Sequence, residues 1–116
     1  MIQEQYVSLK VAKLAKEKGF NEPCKEYYEW GNDYPSILPW GTNQEDLRDE
    51  RDILAPTQAM LARWFREIHH INVEVICLAD GYRWRIYQDG IATYSHAFNN
   101  YEGAKESGLQ EALKFI

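Results

Sequence analysis

The sequence predicts an α+β domain: a mainly antiparallel sheet of three to five strands packed by two or three helices, in the order α-β-(β)-α-β-β-(β)-α. Three observations carry this. Asp80-Gly81 and Asp89-Gly90 separate short alternating or β-branched runs, the strongest short-range hairpin signal a sequence offers. Segments with apolar residues at helical spacing lie on both sides of those runs. A further segment of the same period stands near the N-terminus.

That first segment runs from Val7 to Lys18. Val7, Val11, Leu14 and Ala15 share one side and Lys10, Lys13, Lys16 and Glu17 fill the other. Ser8 can cap its start. Gly19 can take the left-handed position that ends a helix, with Phe20 folding back onto Leu14 or Ala15. After Asn21-Glu22-Pro23, Cys24 to Trp30 reads as a strand and Gly31-Asn32-Asp33 as a turn. Tyr34 to Leu38 can return as a second strand, which Pro35 restricts to an edge, or to no strand at all, because proline cannot donate to a ladder. Pro39 to Leu54 is the least legible stretch, in which Thr42 to Leu47 carries a capping signal for one short helical turn. The mixed-charge run Arg48 to Asp52 lacks the alternating acidic pattern, central glycine and distal glutamate of a calcium loop, so it reads as solvated.

Pro56 is placed at the first position of the second helix, whose stripe is Leu61, Trp64, Phe65 and Ile68 and whose end is His69-His70. Val73 to Ala79 is apolar on both faces and reads as a central strand. Beyond the Asp80-Gly81 turn, Tyr82, Trp84 and Ile86 should face the helices. Arg83, Arg85 and Tyr87 should face solvent or a partner. The second turn leads into Ile91 to Ser95. Asn99-Asn100 caps the last helix, with Tyr101, Ala104, Gly108, Leu109, Ala112, Leu113 and Ile116 as its buried stripe. A glycine inside a helix costs about 1 kcal/mol relative to alanine, so Gly108 implies a close approach to the sheet.

With 116 residues and no dividing linker, the expectation is one domain over residues 1–116. A net charge of −5 argues against general affinity for nucleic acid or anionic membrane. No apolar stretch approaches the roughly 20 residues that span a bilayer. Residues 1–5 lack the basic-then-apolar pattern of a secretory leader, which places the expected location in the cytoplasm. Cys24 and Cys77 read as reduced thiols. With His69, His70 and His96 they form no metal-ligand spacing, so neither a metal nor a cofactor is expected. No glycine-rich phosphate loop or nucleophile elbow is present.

The high share of tyrosine and tryptophan leaves rings for the surface. The candidate binding residues are Tyr27, Trp30 and Trp40 in the first half, and Arg83, Arg85 and Tyr87 on the hairpin. Arginine interleaved with rings, as in Tyr82 to Tyr87, also suits single-stranded nucleic acid. The helix–strands–helix order after Pro56 is similar to the double-stranded-RNA-binding fold. Those domains grip phosphates with lysines at the start of the last helix, where this chain has Glu102 and Glu106 beside Lys105.

Three landmarks together carry a broader resemblance. They are Gly19 to Cys24 with Tyr27-Tyr28, Ala55-Pro56-Thr57 before Trp64 and Arg66-Glu67, and Asn100 to Ala104 with Gly108 to Leu113. With these the chain resembles a group of small uncharacterised proteins of gut Bacteroidales and their phages and mobile elements. The resemblance implies a compact α+β fold and a phage or prophage setting, and it brings no activity, cofactor or catalytic residue. The leading expectation is a non-catalytic protein-interaction or accessory domain with an unidentified protein partner. An edge strand with exposed rings can also pair with a second copy. The alternatives are a nucleic-acid-associated regulator using the Tyr82–Tyr87 strand and a small thiol- or histidine-dependent enzyme.

Overall fold

A computed structural model describes residues 5–32, 34–47 and 49–116, without the side chains of residues 38–42. The fold is α+β, with three helices and two three-stranded antiparallel sheets among the described residues. The strands expected to share one sheet are thus divided between two. The chain separates into two compact units, Met1–Thr57 and Gln58–Ile116, and the boundary falls at the start of a helix rather than in a linker.

In the first unit, α1 spans Leu9–Glu17. The Ser8 side chain caps it by accepting from the Val11 N–H. Gly19 (φ 93°) ends it in the left-handed region. The Gly19 amide donates to the Lys16 carbonyl and the Phe20 amide to that of Ala15, the paired bonds of a Schellman motif. Val11, Ala12 and Ala15 are buried with Phe20, while Leu14 is half-buried. β1 (Cys24–Tyr28) is the central strand, flanked by β2 (Pro35–Thr42) and β3 (Ile53–Leu54). Pro35 sits opposite Tyr28 at the start of β2, on the edge that proline allows.

The stretch from Pro39 to Leu54, the least legible in the sequence, carries regular structure. β2 continues to Thr42, a 3-10 turn covers Gln44–Asp46, and Ile53–Leu54 pairs with Tyr28 and Tyr27. One side chain organises this return. The Gln44 amide donates to the Asp52 carbonyl and accepts from the Leu54 N–H at 3.3 Å. Asp52 is buried, and its carboxylate accepts from the Trp30 N–H at 2.8 Å. Glu50 and Arg51 are exposed as expected, Asp52 departs from the expected solvated run because its carboxylate is drawn in by the Trp30 N–H, and Arg48 lies outside the described residues.

Pro56 does not open a helix. Its carbonyl accepts from the Val7 N–H at 3.1 Å and Thr57 bridges Tyr6, so the backbone there is still extended. The second unit begins with α2 (Gln58–Ile68), which buries Leu61, Ala62, Trp64 and Phe65 and leaves Ile68 exposed. His70 follows α2 in the left-handed region (φ 58°). The second sheet is a meander of β4 (Asn72–Leu78), β5 (Gly81–Gln88) and β6 (Ile91–Tyr94), with β5 in the middle. β4 is therefore an edge strand and not a central one. Its helix-side Val73 is buried, whereas Leu78 on the other face is 49% exposed.

The first hairpin turns on Ala79-Asp80, one residue earlier than expected, with Gly81 already paired to Leu78. Gly81 (φ 132°) is needed there because a Cβ would stand 2.5 Å from the Phe98 carbonyl oxygen. The second hairpin turns on Asp89 (φ 52°) and Gly90 (φ 81°), both left-handed as a two-residue type I′ turn requires. α3 (Tyr101–Ala112) is capped by Asn100, whose side chain accepts from the Gly103 N–H, and a 3-10 turn (Leu113–Phe115) completes it. Its buried residues are Ala104, Gly108, Leu109, Ala112 and Leu113, whereas Tyr101 is exposed. α2 packs on β4, and α3 packs on β4, β5 and α2, so both helices cover one face of this sheet.

Candidate interaction surface

Side chains alternate across a strand, so the paired residues define the two faces of the second sheet. Trp84 and Ile86 are buried on the helix side. The opposite face carries Glu74, Ile76 and Leu78 on β4, Arg83, Arg85 and Tyr87 on β5, and Ala92 and Tyr94 on β6. The three hairpin residues singled out by sequence therefore share one open face.

Arg85 is at its centre. Directly opposite on β4 is Glu74, whose carboxylate accepts from the Arg85 Nη1 at 3.0 Å. Directly opposite on β6 is Tyr94. The guanidinium carbon also lies 5.3 Å from the centroid of the Tyr87 ring, within cation–π range. Glu74 first, then Tyr94, holds Arg85 further above its already high pKa. Arg83 donates to the Asp80 carboxylate at 2.6 Å and to the Ser95 carbonyl at 3.1 Å. The Arg83 bond lowers the Asp80 pKa below the ordinary carboxylate range. Tyr94 is 54% exposed.

Sequence reasoning missed Glu74 and Tyr94. The Asp89-Gly90 turn fixes Tyr94 opposite Arg85 by counting outward from Gln88 and Ile91, so that signal was available. Glu74 was obscured by the misplaced first turn.

The remaining candidates lie in the first unit. Trp30 stands beyond the end of β1, 58% exposed, with the Arg51 guanidinium 4.9 Å from its ring. Asp49 holds that guanidinium at 2.8 Å, and its own pKa falls to about 2 chiefly through the Arg51 bond. Tyr27 is half-buried in the middle of the first sheet, opposite Ser36 and Leu54. The Trp40 side chain lies outside the described residues. An open cleft of about 900 Å³ runs beside the end of α1, lined by Lys16, Phe20, Asn21, Gln44, Glu45 and Leu47. Its polar groups satisfy one another: Asn21 donates to Glu45 and accepts from the Gln44 N–H, and Lys16 donates to the Glu50 carbonyl.

The cysteines differ sharply. Cys24 is buried, its Sγ donates to the Glu22 carbonyl, and burial, with Glu22 adding to it, pushes its pKa up to about 12. A thiol so firmly protonated is a poor nucleophile. Cys77 is exposed on β4. His96 stacks on Phe98 at 4.6 Å, and His69 meets Trp64 edge-on at 4.5 Å. Among the described residues, no three His, Cys, Asp or Glu side chains gather as metal ligands, and no helix is long and apolar enough to cross a membrane. Comparison with protein-family models, curated proteins and solved structures finds no match to the chain.

Proposed function

We propose that this protein is a non-catalytic interaction domain that docks a protein partner on the open face of its second sheet. The observation that carries this is Arg85, held by Glu74 and set against the Tyr87 ring at the centre of a sheet face that no helix of its own unit covers. Arginine and tyrosine dominate binding energy at protein interfaces. An arginine already fixed by its neighbours loses less conformational freedom on docking. The flanking Ile76 and Leu78 supply apolar area beside Arg83 and Arg85. The partner that fits is a protein surface with an apolar contact and a carboxylate. Trp30, braced by Arg51, offers a separate anchor on the first unit.

The setting we propose is the cytoplasm of a host carrying a phage or mobile element, supported by the sequence resemblance described above. Affinity capture from a lysate of that host tests the reading. The wild-type chain retains a defined protein and Arg85→Glu does not, although both fold. A variant that captures as well as wild type sinks it.

A nucleic-acid reading has one observation in its favour, the helix, three-stranded meander and helix of the second unit. The start of α3 speaks against it. Glu102 and Glu106 would repel a phosphate backbone, and Lys105 is engaged at the edge of β4, its Nζ 3.2 Å from the Val73 carbonyl. Burial lowers the Lys105 pKa, which weakens its use as a phosphate contact further. Absence of a gel shift at low salt removes this reading.

A further inference from the structure

The outer edge of β4 carries an inference that does not depend on the docking face. The Ser95 N–H donates to the Trp84 carbonyl, and the Trp84 N–H donates to the Ser95 hydroxyl. Tyr82 exchanges both backbone bonds with Phe98. The backbone groups of Tyr82 and Trp84 therefore point away from β4. Residues directly opposite in an antiparallel pair exchange both bonds or neither. Val75 lies opposite Trp84 and Cys77 opposite Tyr82, so neither bonds to β5, and by alternation neither does Val73. The N–H and C=O groups of these three residues point to the outer edge, where β4 has no neighbouring strand among the described residues. The Val73 carbonyl is the one met by the Lys105 Nζ.

Edge strands usually carry lysine, proline or a bulge against unwanted pairing. β4 itself has none of these over Asn72–Leu78, its register with β5 is unbroken, and Glu74 is its one charged residue; the Lys105 amine reaches this edge from α3 only at the Val73 carbonyl, where a second lone pair is left to accept. We propose that this edge pairs antiparallel with the same edge of a second copy of the chain, with Val75 opposite Val75 of that copy.

The charges select this register. Centring on Glu74 would set two carboxylates directly opposite, which is destabilising. Centring on Val73, Ile76 or Cys77 shortens the overlap. Centring on Val75 keeps all seven residues and puts Glu74 opposite Ile76 of the second copy. The open face then reads Arg85, Glu74, Ile76 of the second copy, Arg83 of the second copy. Glu74 is bracketed by an arginine of its own chain one strand away and one of the other copy two strands away, about 10 Å. Exposed Leu78 comes to lie beside Asn72 of the other copy.

Sedimentation velocity of the full chain over a wide concentration series tests the proposal, and wild type should move from monomer to dimer. Val75→Pro removes only an outward-facing amide, so the β4–β5 ladder survives and the chain should fold as a monomer. Ile76→Glu places its carboxylate beside Arg83 in its own sheet but opposite Glu74 of the second copy. It should keep the fold and weaken dimerisation at least tenfold, while Ile76→Lys should leave the dimer intact. If Val75→Pro fails to fold, Ile76→Glu decides alone. Wild type that stays monomeric throughout overturns the proposal, as does a dimer that survives either weakening substitution in a folded chain.

Discussion

A Cβ built on Gly108 would stand 2.8 Å from the Cβ of Trp84 and 3.2 Å from a Val73 methyl, so α3 rests its backbone directly on the sheet at this point. The Trp84 Nε1 also donates to the Ser107 hydroxyl at 3.2 Å, fixing the indole against the preceding residue of α3. An isolated helix would gain about 1 kcal/mol from alanine at position 108. Here the added methyl must displace Trp84 or lift α3, and overpacking of this kind costs about 1–3 kcal/mol. Gly108→Ala should therefore lower stability, with a reduced urea midpoint at unchanged slope. A raised midpoint would show that the contact is slack.

Gln44 predicts a comparable loss in the first unit. Its amide joins the Asp52 carbonyl to the Leu54 N–H, and its own N–H is taken by the Asn21 side chain at 2.8 Å. Gln44→Ala leaves the part-buried carbonyl and amide without that partner, at about 1–3 kcal/mol. Proteolysis at residues 45–52 should quicken as β3 frays from β1, whereas Gln44→Glu should retain only the bond from Leu54. An unchanged cleavage rate in Gln44→Ala would mean that other contacts hold β3.

Cys24 gives a pH-dependent prediction. Its folded-state pKa, about 12, stands above the ordinary thiol value of 9.0, mainly through burial. Its stabilising contribution is complete below the ordinary value and drains as pH rises from about 9 towards 12, because only the unfolded chain releases the proton. Chemical denaturation of wild type should weaken over that range more steeply than that of Cys24→Ala. At neutral pH a thiol reagent should label one cysteine, the exposed Cys77, in the folded chain and both after unfolding. Rapid labelling of both in the folded chain contradicts the assignment.

Much of this architecture was legible in the sequence, and its failures are physically specific. Ser8, Gly19, Asn100 and the Asp89-Gly90 turn act through their nearest neighbours, so local chemistry was enough to place them. The first hairpin was set one residue late. Moving the turn back by one changes each β4–β5 pair by two residues, and a shift of two keeps every side chain on its face. Arg83, Arg85 and Tyr87 were thus placed on the right face, yet Arg85 would have been matched with Ile76 instead of Glu74. β4 reads as a central strand because both faces are apolar, but an edge strand whose second face is open shows the same pattern. Pro56 carries a helix-start signal that its bond from Val7 overrides, and the return of β3 depends on the long-range bonds of Gln44, which no local pattern reveals.

The central claim is that the face around Arg85 is where a partner docks. The most direct measurement is quantitative capture from a native-host lysate by three full-length baits: wild type, Arg85→Glu, and Arg63→Glu as a charge-matched change on the exposed side of α2. Losing a surface ion pair costs about 0.2–1 kcal/mol and the new carboxylate opposite Glu74 in Arg85→Glu adds a repulsion of similar size, so melting temperatures should stay within about 10 °C of wild type. The account predicts a defined protein retained by wild type and by Arg63→Glu and lost with Arg85→Glu. Equal retention by all three baits, or no specific protein retained by wild type, would contradict it.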